Sequence, residues 1–331
     1  MGAIKRHTPE FRRSPIAYAK YLMLIVIMVA LAYKTLQADN NFAGSPPELD
    51  FIVEDLPSQT ALAIDSSLTQ RQKFEVFRQS QEVSPWGGSA TDAPLFERLC
   101  RKHSDIFGFG HGGRDITDGI IRELAKNDAV VIMEVGVWLG QSTARWLNVH
   151  PNVRVIAVDP FSAPNGTHKK LSKVAEEDKV SFGQPEFNRA LAQFAISKAA
   201  PGAHDRVVFE TGLYPQAAQP LFQASKDERP AVDLFYLDGG KRTDTDAHLN
   251  FVEETIRGIV SEFPDVILSG DDWGFSKRFR SLIVEFAEGR NRSVYVGEAR
   301  TWIMINDQDP RFSNAQSLLG KKGGFVCCKT M

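Results

Sequence analysis

The chain has 331 residues, more than one average domain, and 43% of them are hydrophobic, enough to bury a full core. Its 39 basic and 41 acidic residues give a formal net charge of -2, which excludes the broad basic surface that nucleic-acid binding needs and leaves a small molecule or a glycan as the expected partner. Three cysteines, Cys100, Cys327 and Cys328, form neither a disulfide framework nor a zinc spacing.

The first element is apolar. Tyr21–Tyr33 carries no charge, and the run extends over 16–36 when Lys20 and Lys34 snorkel to the interfaces, just long enough to span a bilayer. Lys5, Arg6, Arg12, Arg13 and Lys20 precede it, while Asp39, Glu48, Asp50, Glu54 and Asp55 follow. The positive-inside bias therefore predicts a single-pass protein with a cytoplasmic tail over 1–15 and a lumenal or extracytoplasmic remainder, in the Golgi or endoplasmic reticulum of a eukaryote. A cleaved signal peptide is the alternative, although no convincing small-x-small site follows Leu36. Residues 37–90 are polar and broken by Pro46, Pro47 and Pro57, with one helical pattern around Phe74 and Phe77, and read as a stem.

A globular domain is expected over 91–310, followed by a tail over 311–331. Helical patterns cover 94–106 and 116–126, the second with Ile116, Ile120, Ile121 and Leu124 on one face. The GFGHGG between them lacks the Lys-Ser/Thr of a P-loop and reads as a connection or lid. Apolar runs at 130–135, 153–158, 207–210, 234–237 and 266–268 alternate with amphipathic stretches such as Leu249, Val252, Ile256 and Ile259. That alternation predicts an α/β fold, a doubly wound parallel sheet with crossover helices. Two closer runs, 293–296 and 301–305, predict an antiparallel hairpin at its edge.

The first of these strands ends in IMEVGVWLGQSTARW, placing Glu134, Gly136 and Gly140 in a turn that runs into a helix near Gln141 and Ser142. Such a turn lies at the carboxyl edge, where open α/β sheets bind ligands. The second strand ends in VIAVDPF, where Asp159 can accept hydrogen bonds from two ribose hydroxyls. The spacing E-x-G-x-x-x-G differs from the G-x-G-x-x-G that brings backbone close to a dinucleotide pyrophosphate. EVGVWLGQST followed by AVDPF resembles the nucleoside-binding turn of class I S-adenosylmethionine-dependent methyltransferases, especially the methyltransferase 24 group. The resemblance implies a Rossmann-like sheet in the order 3-2-1-4-5-7-6 with the last strand antiparallel. It also implies S-adenosylmethionine as cofactor, with Gly212 of FETGLYP near the adenine and Leu213 and Tyr214 flanking the ring.

DLFYLDGGKRTD and VILSGDDWGF end two further strands and bring Asp238, Asp271 and Asp272 toward the same edge. Three neighbouring carboxylates need a cation or hydrogen bonds to offset their repulsion, and a hard divalent ion such as magnesium would serve. These segments resemble the cation-dependent O-methyltransferases of the catechol and caffeoyl-coenzyme A types over residues 115–305. That resemblance implies Asp238, Asp271 and Asp272 as metal ligands and Lys241 as general base. The match is partial: Asp272 stands where Asn is usual, no aromatic follows Lys241, and the methyltransferase 24 group commonly has His there. The reading is a membrane-anchored O-methyltransferase acting on a hydroxyl. A non-catalytic protein of the same fold and a nicotinamide-dependent oxidoreductase are the alternatives.

Overall fold

Runs of aliphatic residues without polar alternation need cover on both faces, and each such run forms a strand. The computed structural model describes residues 68–81, 93–102, 114–162, 184–239, 245–274, 276–297, 301–310 and 326–327. Its strands are β1 (Val130–Val135), β2 (Val153–Asp159), β3 (Val207–Thr211), β4 (Leu234–Leu237), β5 (Ile267–Gly270), β6 (Ser293–Val296), β7 (Trp302–Ile305) and β8 (Val326–Cys327). Every residue of β1, β2, β4, β5 and β7 is buried.

The sheet order is β3-β2-β1-β4-β5-β7-β6-β8. Strands β1 to β5 are parallel, and β7 runs antiparallel to both β5 and β6. The first seven positions reproduce the order 3-2-1-4-5-7-6 of the methyltransferase Rossmann-like fold. The hairpin forms as expected, with its more apolar strand, Trp-Ile-Met-Ile, placed inside the sheet. Strand β8 pairs Tyr295 with Cys327, so the stretch read as a tail over 311–331 contributes an eighth strand.

Helices cover both faces, and the strands' period of two divides the core between them. They are α1 (Gln70–Ser80), α2 (Ala93–Lys102), α3 (Asp115–Leu124), α4 (Gln141–Val149), α5 (Pro185–Ala199), α6 (Gln219–Gln223), α7 (Asp246–Glu262) and α8 (Lys277–Glu288). On one face Phe74, Val252, Ile256 and Ile283 pack over Met133, Ile156, Phe235 and Leu268. On the other, Ile116, Ile120, Trp146 and Ile196 cover Ile132, Val155, Leu234 and Ile303.

Helix α1 departs from the stem expected over 37–90. Thr69 and Gln72 form a capping box at its start, and the buried Phe74 and Phe77 join the sheet's core. Burying each ring contributes roughly 2–3 kcal/mol. Gln70 ties the helix to the entry of β4, donating to the Ala231 carbonyl at 2.5 Å and accepting from its N–H at 3.1 Å. Residues 64–331 form one compact unit that includes α1. The anchor expected over 16–36 lies outside the described residues, among which no helix is long and apolar enough to cross a membrane.

Candidate active site

The turn after β1 is shaped by two glycines. Gly136 has φ 96°, and a Cβ there would lie 2.3 Å from the Gly239 nitrogen, so a side chain would strike the backbone that leaves β4. This contact sets the β1 turn beside Asp238. Gly140, at φ 79°, opens α4, and a Cβ on it would meet the Ile196 side chain at 2.5 Å.

The carboxylates around this turn are held by neutral donors. Glu134 is fully buried and accepts hydrogen bonds from Ser142 and, at 2.6 Å, from the Thr143 hydroxyl. Burial pushes its carboxyl up to about 7, against those two hydroxyls. Glu134 and Ser142, both expected to touch the cofactor, are thus bonded to each other, pinning the first turn of α4 to β1. Asp159, at the end of β2, accepts from the Trp138 N–H at 2.8 Å and the Phe161 N–H at 2.5 Å. Trp138 and Phe161 both have positive φ, so this carboxylate fixes two strained loop residues as well as its own orientation. Burial raises its pKa while the backbone bonds oppose the rise.

The exit of β3 lies against β2, with the Gly212 N–H donating to the Asp159 carbonyl at 3.0 Å. Leu213 is 66% exposed there. Tyr214 turns inward and is buried among Phe222 and Phe235, with ring centroids 6.1 and 5.6 Å away. Its hydroxyl has no hydrogen-bond partner among the described residues. Leu213 alone of the expected pair offers an open apolar surface, because Gly212, at φ 143°, reverses the chain and sends Tyr214 into the core. Glu210, which the sequence reading passed over, is buried near the same exit, and burial pushes its carboxyl up to about 7.

Asp238 and Asp271 converge at the ends of β4 and β5, joined by a residue absent from the sequence-derived set. Arg114 Nη2 lies 3.2 Å from Asp238 Oδ2 and 2.5 Å from Asp271 Oδ2, and its Nε donates to Asp271 Oδ2 at 3.2 Å. The guanidinium lies 5.6 Å from the Tyr236 ring centroid and 5.9 Å from that of Trp146. Burial works against its charge, but Tyr236, Asp238 and Asp271 outweigh it and hold the pKa above the ordinary arginine value. Asp271 is further fixed by the Thr301 hydroxyl, 2.7 Å from its Oδ1. Asp272 has φ 64° and is half-buried. Arg114 immediately precedes α3, and that helix is tied to α4 by Arg145, whose Nη2 reaches Asp118 at 2.6 Å and Asp115 at 2.8 Å.

These residues do not fit the divalent ion that the resemblance implies. The Oδ2 oxygens of Asp238 and Asp271 both contact Arg114, Oδ1 of Asp271 accepts from Thr301, and magnesium demands near-octahedral oxygen ligands with no cation among them. Among the described residues no group of three His, Cys, Asp or Glu side chains could hold a metal. S-adenosylmethionine fits better: the Gly136 turn, the oriented Asp159 carboxylate and the exposed Leu213 line one stretch of the carboxyl edge. Lys241, expected as the base, lies outside the described residues.

No family model matches the sequence, and no curated protein matches it. Solved structures of methyltransferases are similar to it at low identity. Human methyltransferase-like protein 13, in complex with SAH, is 14% identical with a TM-score of 0.41, over 65% of this chain and 95% of its own. A TDP-rhamnose 3'-O-methyltransferase of calicheamicin biosynthesis is 14% identical with a TM-score of 0.34, over 72% and 94%. A methyltransferase from Geobacter sulfurreducens is 10% identical with a TM-score of 0.36, over 67% and 91%.

Proposed function

We propose that this chain is an S-adenosylmethionine-dependent methyltransferase that modifies a hydroxyl of a small metabolite or glycan. The observation that carries the reading is the Asp159 carboxylate, fixed by two backbone N–H groups directly beside the Gly136 turn. An oriented carboxylate in that place suits a ribose diol, and a glycine turn lets the ligand approach the backbone. Leu213 supplies an apolar surface for the adenine.

The cofactor supplies a methyl group on a positively charged sulfur. The protein's own part is to hold that group and the acceptor oxygen in line, since positioning accounts for much of the rate in such a transfer. Lys241, three residues after Asp238, is proposed as the base that takes the hydroxyl proton. The apolar run over 16–36 is proposed to tether the enzyme to a membrane with its catalytic domain on the lumenal side. Protease protection of intact microsomes tests that topology.

Isothermal calorimetry of the full chain in detergent, with S-adenosylmethionine and NAD titrated separately, tests the cofactor. Heat with the first and none with the second is the expected result. Binding of NAD alone would replace this reading with an oxidoreductase.

A further inference from the structure

We propose that the Arg114 guanidinium, clamped between Asp238 and Asp271, occupies the place of a divalent ion, so that this site positions its acceptor oxygen through a fixed organic cation and binds no metal. The acceptor half of this statement rests on the methyltransferase reading; the ion half does not.

Two strands each followed directly by an acidic residue bring the carboxylates together, and something must offset their repulsion. Here the offsetting charge is a side chain. Arg114 reaches Oδ2 of both carboxylates. It is well buried, with 12% side-chain exposure, and stays charged at any working pH. Its ring neighbours Tyr236 and Trp146 hold the guanidinium plane, and the Thr301 hydroxyl occupies Oδ1 of Asp271. Nη1 makes no hydrogen bond among the described residues, which leaves its two N–H donors for an incoming oxygen. A guanidinium can polarise and orient a hydroxyl as a hydrogen-bond donor, but it accepts no lone pair as a Lewis acid does. The hydroxyl proton must then leave to a base as the acceptor oxygen bonds the methyl carbon, while the carbon–sulfur bond of the sulfonium breaks and its electron pair stays on the now neutral sulfur.

Manganese(II) alone is the probe, because its free-ion EPR signal falls on binding. The wild-type full chain in detergent is expected to leave that signal unchanged. Arg114→Ala is expected to free the carboxylates and take up one ion, at least ~tenfold tighter than wild type, and adding Asp238→Asn should remove the gain. Arg114→Lys keeps a cation in place and should stay closed to manganese. If Arg114→Ala fails to fold, Arg114→Gln replaces it, neutral and closer in size. A manganese site in the wild type that Asp238→Asn abolishes would overturn the proposal, as would a folded neutral variant that takes up no ion. Calorimetry with S-adenosylmethionine on the same preparations separates the two readings: absent cofactor binding overturns the function and leaves the ion result standing.

Discussion

Around Gly136, the buried carboxylates of Glu134 and Asp159 are met by neutral donors, two hydroxyls and two backbone N–H groups. On the neighbouring strands, Asp238 and Asp271 are met by a guanidinium. Neutral donors orient a carboxylate without cancelling its charge, so burial still raises the pKa, to about 7 for Glu134. A guanidinium cancels charge and makes its partners depend on one residue. One half of the edge is therefore tuned by protons, the other by a single side chain.

The sharpest way to break the contrast is Arg114→Ala. Removing one partner from a largely buried ion pair costs about 3–5 kcal/mol, toward the lower end here because Asp238 keeps 26% side-chain exposure. Urea denaturation should show that loss, with part of it recovered when Asp238→Asn is added.

Next is Glu134→Gln. The folded pKa near 7 lies above the ordinary 4.5, so folding takes up a proton between those values and stability falls as pH rises through that window, then levels. The variant lacks this uptake. Between pH 4.5 and 7.5 the wild type should lose about 3 kcal/mol more than the variant, measured as unfolding free energy against pH.

Gly136→Ala would drive a Cβ into the Gly239 backbone at a positive φ. A loss of roughly 2 kcal/mol together with absent cofactor binding is expected; a normal calorimetric titration would show that the turn is not at the ligand. Asp159→Asn keeps an acceptor for one loop but loses the charge, and S-adenosylmethionine should bind roughly tenfold more weakly. The smallest effect is expected from Tyr214→Phe, whose hydroxyl has no partner among the described residues. Stability should change by about 0.5 kcal/mol at most with cofactor affinity intact, and a large affinity loss would return Tyr214 to the cofactor site.

The fold was legible because burial on both faces leaves an unmistakable apolar signature in Val130–Val135 and Val153–Asp159. The glycine turn was legible for the same reason: Gly136 and Gly140 follow a strand and precede a helix. Side-chain direction was not. Nothing in EVGVWLGQST says that Glu134 and Ser142 satisfy each other across the glycine turn, since the spacing fixes no side-chain direction, nor that Gly212 turns Tyr214 into the core, which follows from packing against Phe235 on another strand. Arg114 was invisible for a stronger reason. Its partners lie 124 and 157 residues away, and its only local mark is its place before an amphipathic helix. Phe74 and Phe77 did carry a helical signal, but the proline-rich residues before them made the segment read as stem.

Arg145 belongs to the helix that begins at the Gly140 turn, and it grips Asp115 and Asp118 on the helix that begins just after Arg114. The two differently tuned halves are therefore mechanically joined. Ligand binding at one half that shifts either helix is expected to change affinity at the other, and thermodynamic linkage makes any such change reciprocal. An acceptor that tightens cofactor binding by some factor will itself be bound more tightly by that same factor once the cofactor is present, and severing Arg145 should drive that factor toward one.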